Sequence, residues 1–167
     1  MTVEEFAAQC ARWSAALEEA VDSRIPHEMG VKAIELYREN FDRQGYFGER
    51  WDPRKVAKNA PHATKILQQS KALVNSMRVV SEGGGEVVIE SDLPYSRIHN
   101  EGGVIRQTVT DKQRRWMGAN LKASKKTGSV LEITIPKRQF MGDHPTLREE
   151  LAKEVKEVLE EIFDYKN

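Results

Sequence analysis

The side chains with the most obvious chemistry are four histidines. They are His27, His62, His99 and His144. No two of them are spaced as HxH, HxxxH or HExxH, so the sequence offers no local metal-ligand pattern. His99 stands out because Glu101 follows two residues later, and a His/Glu pair is typical of acid–base catalysis, as in a hydrolase. The alternative is that His99 hydrogen-bonds to backbone in a tight turn before Gly102-Gly103. We favour it because no nucleophile accompanies the pair.

Other reactive groups are equally isolated. Cys10 is the single cysteine, so this chain forms no internal disulfide, and its place on an apolar helix stripe predicts a small buried hydrophobe. The serines lack a GxSxG context. The glycine run 83–85 is not followed by Lys-Ser or Lys-Thr, as a phosphate-binding loop requires. We therefore predict a protein that is not an enzyme, with no catalytic, cofactor-binding or metal site.

A basic segment between residues 110 and 128 is the strongest charge feature. Its cations are Lys112, Arg114, Arg115, Lys122, Lys125 and Lys126. With Trp116 among them, they suit a nucleic-acid backbone with the indole stacked on a base. Two alternatives stay open: a solvated loop, or a contact with the acidic C-terminal helix of a neighbouring copy. The 26 basic and 26 acidic residues give the whole chain no net attraction to nucleic acid.

Hydrophobic periodicity predicts the elements that position these groups. Apolar residues recur at helical spacing from Val3 to Leu17 and on to about Phe41, with Pro26 as a break and Ser23 as a cap. An irregular loop is predicted for 45–65, and a short helix for 66–74. Two alternating runs, 77–82 and 86–90, predict a β-hairpin around the glycine run.

The second half of the chain adds two strands and two helices. Alternation predicts a strand at 130–135, and residues 104–109 are a further strand candidate. A short helix is predicted around 112–121 between them. A long helix follows Pro145 to Phe163, with Thr146 and Glu149 as a capping box. The prediction is one α+β domain over residues 1–167: N-terminal helices, a roughly four-stranded, mostly antiparallel sheet, a C-terminal helix packed on it, and a basic inserted arm at about 110–128.

Composition bounds the class of protein. The 167 residues suffice for one domain, and 39% hydrophobic with 31% charged residues indicates a thin core in a soluble protein. No apolar run approaches the roughly 18 residues of a membrane-spanning helix. The acidic N-terminus does not have the pattern of a signal peptide, so we expect synthesis in the cytoplasm.

Four stretches in order carry a family resemblance. Residues 95–103 read YSRIHNEGG and resemble the YAxIHNxGG motif of the phage virion-morphogenesis family, the Mu-like tail-completion proteins. Residues 135–142, IPKRQFMG, resemble that family's IPARPFLG stretch. The segments 41–53 and 65–77 are similar to its F…G..W.P and LxxTGxLxxSI stretches. The resemblance spans about residues 35–163, with Gln139 and Ser70-Lys71 departing from the usual residues.

The resemblance implies a non-enzymatic structural role in completing the tail or joining heads to tails. It implies an oligomeric ring or connector in the virion that contacts other tail and neck proteins and is made in the bacterial cytoplasm. It implies no cofactor, no membrane partner and no specific nucleic-acid binding, although DNA lies nearby. We name as candidate oligomer or partner contacts Arg97, Glu101, Arg114, Arg115, Trp116, Lys137 and Arg138. The alternative function is a nucleic-acid-binding module using residues 112–126.

Overall fold

The computed structural model describes residues 1–53, 65–120 and 128–163, and for residues 116–120 it describes the backbone alone. The described chain is α+β, which confirms the predicted class. No helix within these ranges is long and apolar enough to cross a membrane.

The chain begins with a continuous helical rod. Helix α1, Val3–Glu19, starts at a capping box in which Thr2 and Glu5 bond each other's backbone N–H groups. A π turn at Ala20–Arg24 leads directly into α2, Ile25–Arg43. The predicted break at Pro26 is therefore wrong, because proline is tolerated in the first turn of a helix and the π turn precedes it. Ser23 does not cap a helix; its hydroxyl donates to the carbonyl of Glu19.

The strands form three separate antiparallel pairs within the described ranges. Strands β1 (Gly45–Tyr46) and β2 (Glu49–Arg50) lie in the segment predicted to be irregular. Strands β3 (Met77–Gly83) and β4 (Glu86–Ser91) form the predicted hairpin. The pair formed by β5 (Gly103–Thr108) and β6 (Val130–Ile135), here named the ladder, joins the other two predicted strands.

The expectation of one four-stranded sheet is wrong, because no hydrogen bonds join β3–β4 to the ladder in the described chain. The reason lies in the connection between β4 and β5. It contains helix α4, Ser96–Glu101, and then Gly102, which approaches the backbone of residue 137 closely. The chain therefore starts β5 beside residue 137 and not along the edge of β4.

The remaining helices are α3 (Ala72–Asn75), α5 (Asp111–Asn120) and α6 (Pro145–Phe163). Residues 54–64, the continuation 121–127 of the predicted arm, and 164–167 lie outside the described residues. Pro145 opens α6 as predicted, but the side chain at its N-terminus is His144, whose Nδ1 accepts from the Thr146 N–H at 3.2 Å.

Helix α6 packs chiefly on α2. Its first two turns, with Leu147 and Leu151, also join the core cluster that contains Met77 of β3 and Ile89 of β4. Its apolar stripe contributes Val158 and Leu159 to a cluster with Ala20 and Ile25. Helix α2 thus lies between α6 and the β3–β4 hairpin, because it offers apolar residues to both sides. At its far end Phe41 and Phe140, both fully buried, pack with ring centroids 5.1 Å apart.

Helix α1 is loosely held. It contains no buried residue, and Trp13 meets Phe163 of α6 edge-on at 5.8 Å. Cys10 is exposed, so its predicted burial is wrong. The apolar stripe of α1 is longer than the surface of α6 and the π turn that it contacts, so most of the stripe stays exposed.

Candidate functional site

The segments 95–103 and 135–143 pack against each other, and together they are named the joint. The Arg138 N–H donates to the carbonyl of His99 at 2.8 Å. Gly102 lies so close to the next strand end that a Cβ there would be 2.8 Å from the backbone nitrogen of Lys137. The two most distinctive sequence stretches therefore form one structure at the base of the ladder.

Asn100 connects the two halves of the joint. Its Oδ1 accepts from the backbone N–H groups of Phe140 and Met141, at 2.9 and 3.1 Å. Those donors belong to an irregular segment with no strand or helix partner of its own. Since a buried unpaired N–H is costly, one side-chain oxygen fixes the path of the chain into α6.

Side chains from α2, β1 and the residue after β2 hold the carbonyls of the same segment. The hydrogen bonds run from side-chain donor to backbone carbonyl: Trp51 to Gln139 at 2.7 Å, Asn40 to Phe140 at 3.3 Å, Tyr37 to Gly142 at 3.0 Å, and Tyr46 to Asp143 at 3.2 Å. Burial raises the pKa of Tyr37 and, more strongly, raises that of Tyr46 to about 12. Both phenols therefore stay protonated and able to donate at neutral pH.

The His99 side chain lies within the joint. Burial, and then the charge of Arg138, lower its pKa below the ordinary value. Its Nδ1 is buried without a hydrogen-bond partner among the described residues, and its ring meets Tyr95 edge-on at 5.9 Å. Glu101, the acid of the hydrolase hypothesis, binds Arg97 at 3.0 Å instead. The arrangement gives the histidine a packing role and does not assemble an acid–base pair.

The candidate contact residues fall into two groups. Arg97, Glu101 and Lys137 lie exposed at the joint, and the Arg97 side chain is 84% accessible. Arg138 is buried, and its guanidinium donates twice to the carbonyl of Asp52, at 3.2 and 3.1 Å. Its position therefore suits holding the chain together better than touching a neighbour.

The second group lies on α5. Arg114 and Arg115 are exposed, and Arg114 is 3.8 Å from the carboxylate of Asp111. Trp116 belongs to the same helix, but its side chain lies outside the described residues, as do Lys122, Lys125 and Lys126. The structure brings Arg97 and Glu101 together and places Arg114 and Arg115 on a different element.

The comparison with known protein families decides the class. The model of the phage virion morphogenesis family matches residues 7–161. The chain belongs to the phage virion morphogenesis family. Membership of this family supports a structural role in the building of the phage particle. No curated protein and no solved structure matches the chain.

The acidic helix of this family member is largely engaged within its own chain. Four carboxylates of α6 meet a cation: Glu150 with Lys153, Glu154 with Lys32, Glu160 with Lys156, and Glu161 with Arg24. The Lys32–Glu154 pair spans 3.2 Å between α2 and α6. Such engagement weakens the expectation that α6 receives a neighbour's basic segment.

The ladder is the surface that sequence reasoning missed. Every residue of β5 is exposed, and neither strand packs extensively on another described element. Ile105 and Ile133 face each other across the strands, each 39% exposed. Both strands were predicted from the sequence, but such a pattern does not tell whether an apolar face is covered. In the described ranges no group of three acids, histidines or cysteines is placed to hold a metal ion.

Proposed function

We propose that this protein completes the phage tail or joins heads to tails, as a non-enzymatic subunit of an oligomeric connector. The observation that carries the proposal is the family match over residues 7–161. The joint supports it, because its polar side chains hold backbone groups of the same chain, as Asn100 and Trp51 do.

The proposal includes the organisation and setting of the chain. Residues 1–167 form one unit with a basic inserted arm at about 110–128. The partners are tail and neck proteins and further copies of the same chain, in a ring within the virion. Assembly takes place in the bacterial cytoplasm before release.

Deleting the gene from an inducible lysogen tests this function. We expect induced cells to accumulate separate heads and tails by electron microscopy, with infectious titre restored by the wild-type gene in trans. Normal joined particles from the deletion would contradict the proposal. A His99→Ala gene supplied in trans is the matched control for catalysis. Restored titre is expected, whereas loss of titre with a stable, folded variant would favour an active role for that side chain.

A nucleic-acid-binding module is the second candidate, and the exposed cations of α5 favour it. Phosphate contacts lose affinity steeply as salt rises. DNA binding by the full chain at low and moderate salt, compared with Arg114→Glu/Arg115→Glu, distinguishes the candidates. We expect no sequence-specific binding; a tight complex that only the wild-type chain forms would support this alternative.

A further inference from the structure

A cleft of about 310 Å³, here named the edge cleft, lies between α2 and β3. Its helix wall is His27, Val31 and Ile34, which share one face of α2 because they are spaced four and three residues apart. Its other wall is the four consecutive residues 79–82 of β3. Successive side chains of a strand point to opposite faces, so a cleft that touches all four lies along the edge of the strand and not over one face.

That edge of β3 is open. In the part of the chain that the structure describes, β3 pairs with β4 alone, along its other edge. No hydrogen bond from another described residue reaches the backbone of residues 79–82 on the open side. A strand edge with unpaired N–H and C=O groups is a template for a further strand. The edge cleft therefore combines apolar side chains with main-chain groups that can pair with a bound peptide.

The bulge in β3 places an apolar side chain at the centre of this edge. The register shifts between Val79 and Ser81, so Val80 has no partner in β4, and its side chain lines the edge cleft instead. Val80 and Val31, one on each wall, are 44% and 53% exposed. A bulge also twists a strand edge and so opposes pairing with a long, flat sheet. A short segment that follows the twist fits this edge better than the edge of a folded sheet does.

Charge distinguishes one end of the edge cleft. Glu82, two residues beyond Val80, lines the cleft, and His27 lies 3.3 Å from its carboxylate. The neighbouring turns add Asp22 and Glu86, both exposed, so three acids meet one histidine at this end. A Lys or Arg side chain of a bound segment is therefore favoured there. The size of the cleft suits one apolar side chain, since it lies at the lower limit for small-molecule sites.

We propose that the edge cleft binds a short extended segment of another virion protein, which pairs with β3 as a third strand. The segment places one apolar side chain between Val31 and Val80 and a basic side chain, two residues away, beside Glu82. Main-chain hydrogen bonds then give affinity, and the cleft gives specificity. This deepens the proposed connector function, on which it rests, by stating the chemistry of one partner.

Peptide binding to the full chain tests this site. The probes are short overlapping peptides that cover the tail and neck proteins of the phage that encodes this chain, and fluorescence anisotropy measures their binding. We expect a segment with the apolar and basic pattern to bind the wild type, and to bind Val31→Asp at least about tenfold more weakly, as at an interface hot spot. Val88→Asp makes the same change on the opposite face of the same hairpin, at a residue 49% exposed, and should match wild type. If no peptide distinguishes Val31→Asp from this control, the proposal is overturned.

Backbone pairing has its own readout, which needs no variant of the protein. Two forms of the binding peptide carry N-methyl groups on alternate residues, one form on each alternate set. Because the amides of a strand point alternately to its two edges, only one form loses the donors that face β3. We expect that form alone to bind the wild type at least about tenfold more weakly. Equal affinities of the two forms would mean that the peptide does not pair with β3, which would overturn the proposal.

Hydrogen exchange and sedimentation separate the alternative occupants. Bound peptide should slow amide exchange at residues 79–82 and leave the ladder unchanged, and an absence of slowing would contradict the third strand. Self-association of the wild type that Val31→Asp weakens and Val88→Asp does not would assign the cleft to a second copy and overturn the proposal. Joined heads and tails in a phage carrying Val31→Asp would overturn this inference alone, whereas infectious particles from the gene deletion would overturn the connector function.

Discussion

The two longer strand pairs, the β3–β4 hairpin and the ladder, have similar lengths and different surroundings. Helix α2 lies across β3–β4 so closely that a Cβ on Gly30 would come 2.8 Å from the Val79 side chain. The turn is fastened as well, since the Gly84 N–H donates to the backbone carbonyl of Asp22 at 3.1 Å. Among the described residues, neither strand of the ladder makes extensive contact with a helix, and the joint links the base of the ladder to the rest of the fold.

The difference shows what an alternating pattern specifies. In β3–β4, the inward residues Val79, Val87 and Ile89 are half-buried, because α2 of the same chain covers the apolar face of the hairpin. In the ladder the same alternation leaves Ile105 and Ile133 exposed. Apolar strands without an internal cover are typical of surfaces that bind another molecule.

Truncating one apolar residue in each strand pair should give the largest difference between the two regions. Met77 in β3 is 3% exposed within the main core, so Met77→Ala should lower the free energy of unfolding by about 2–5 kcal/mol. Ile133→Ala in the ladder should change it by less than about 0.5 kcal/mol in the monomer, as for a surface site. Urea unfolding at low protein concentration checks both. Similar losses would mean that the ladder is covered within one chain.

Much of the fold follows from local pattern. The β3–β4 hairpin, both ladder strands and α6 lie where the sequence pattern predicted them. The helix break predicted at Pro26 was wrong because a proline in the first turn of a helix is compatible with the π turn that precedes it, so the helical rod continues. The prediction that Cys10 is buried was wrong because its helix stripe is apolar but does not pack on another described element at that position.

The joint was less predictable than its sequence motif. The resemblance located both stretches, but nothing local indicates that Asn40 reaches Phe140, 100 residues away. The same holds for the Asn100 amide, whose two backbone donors lie about 40 residues later. Sequence periodicity reports which face of an element is apolar, and it does not report which distant backbone groups need a partner.

Removing the Asn100 acceptor should weaken the base of the ladder. Asn100→Ala leaves the Phe140 and Met141 N–H groups without their partner, so we expect a loss of about 2–3 kcal/mol in unfolding free energy. Asn100→Asp keeps an acceptor at the same place and should lose less. Denaturant titration of both variants checks the order. If Asn100→Asp is the less stable, the oxygen is not what holds the joint.

Two glycines, one in each region, allow the cost of a positive φ to be measured separately from the cost of a Cβ clash with neighbouring backbone. Both have positive φ, +75° at Gly102 and +58° at Gly84, so alanine strains either. Only Gly102 also faces backbone, with a Cβ 2.8 Å from Lys137 nitrogen, while Gly84 has open space. We expect Gly84→Ala to cost about 1 kcal/mol and Gly102→Ala about 2–3 kcal/mol. Thermal and urea unfolding of the pair checks this, and equal losses would remove the close approach as a constraint.

The smallest expected effect is a pH dependence confined to the joint. In the unfolded chain His99 takes up a proton near its ordinary pKa of 6.5; in the folded chain burial, and then the charge of Arg138, hold the pKa lower. Below pH 6.5 the unfolded state therefore binds more protons, and the free energy of unfolding falls until the pH passes the folded pKa. Above pH 6.5 both states are neutral at this position, so stability there is unaffected.

His99→Phe keeps an aromatic ring beside Tyr95 and removes the titration. Urea midpoints measured above and below pH 6.5 should fall less on acidification in this variant than in the wild type. The other three histidines are the same in both chains, so the comparison isolates His99. Equal slopes would show that His99 is protonated as readily in the joint as in water, and the joint would then be as open to solvent as the ladder it supports.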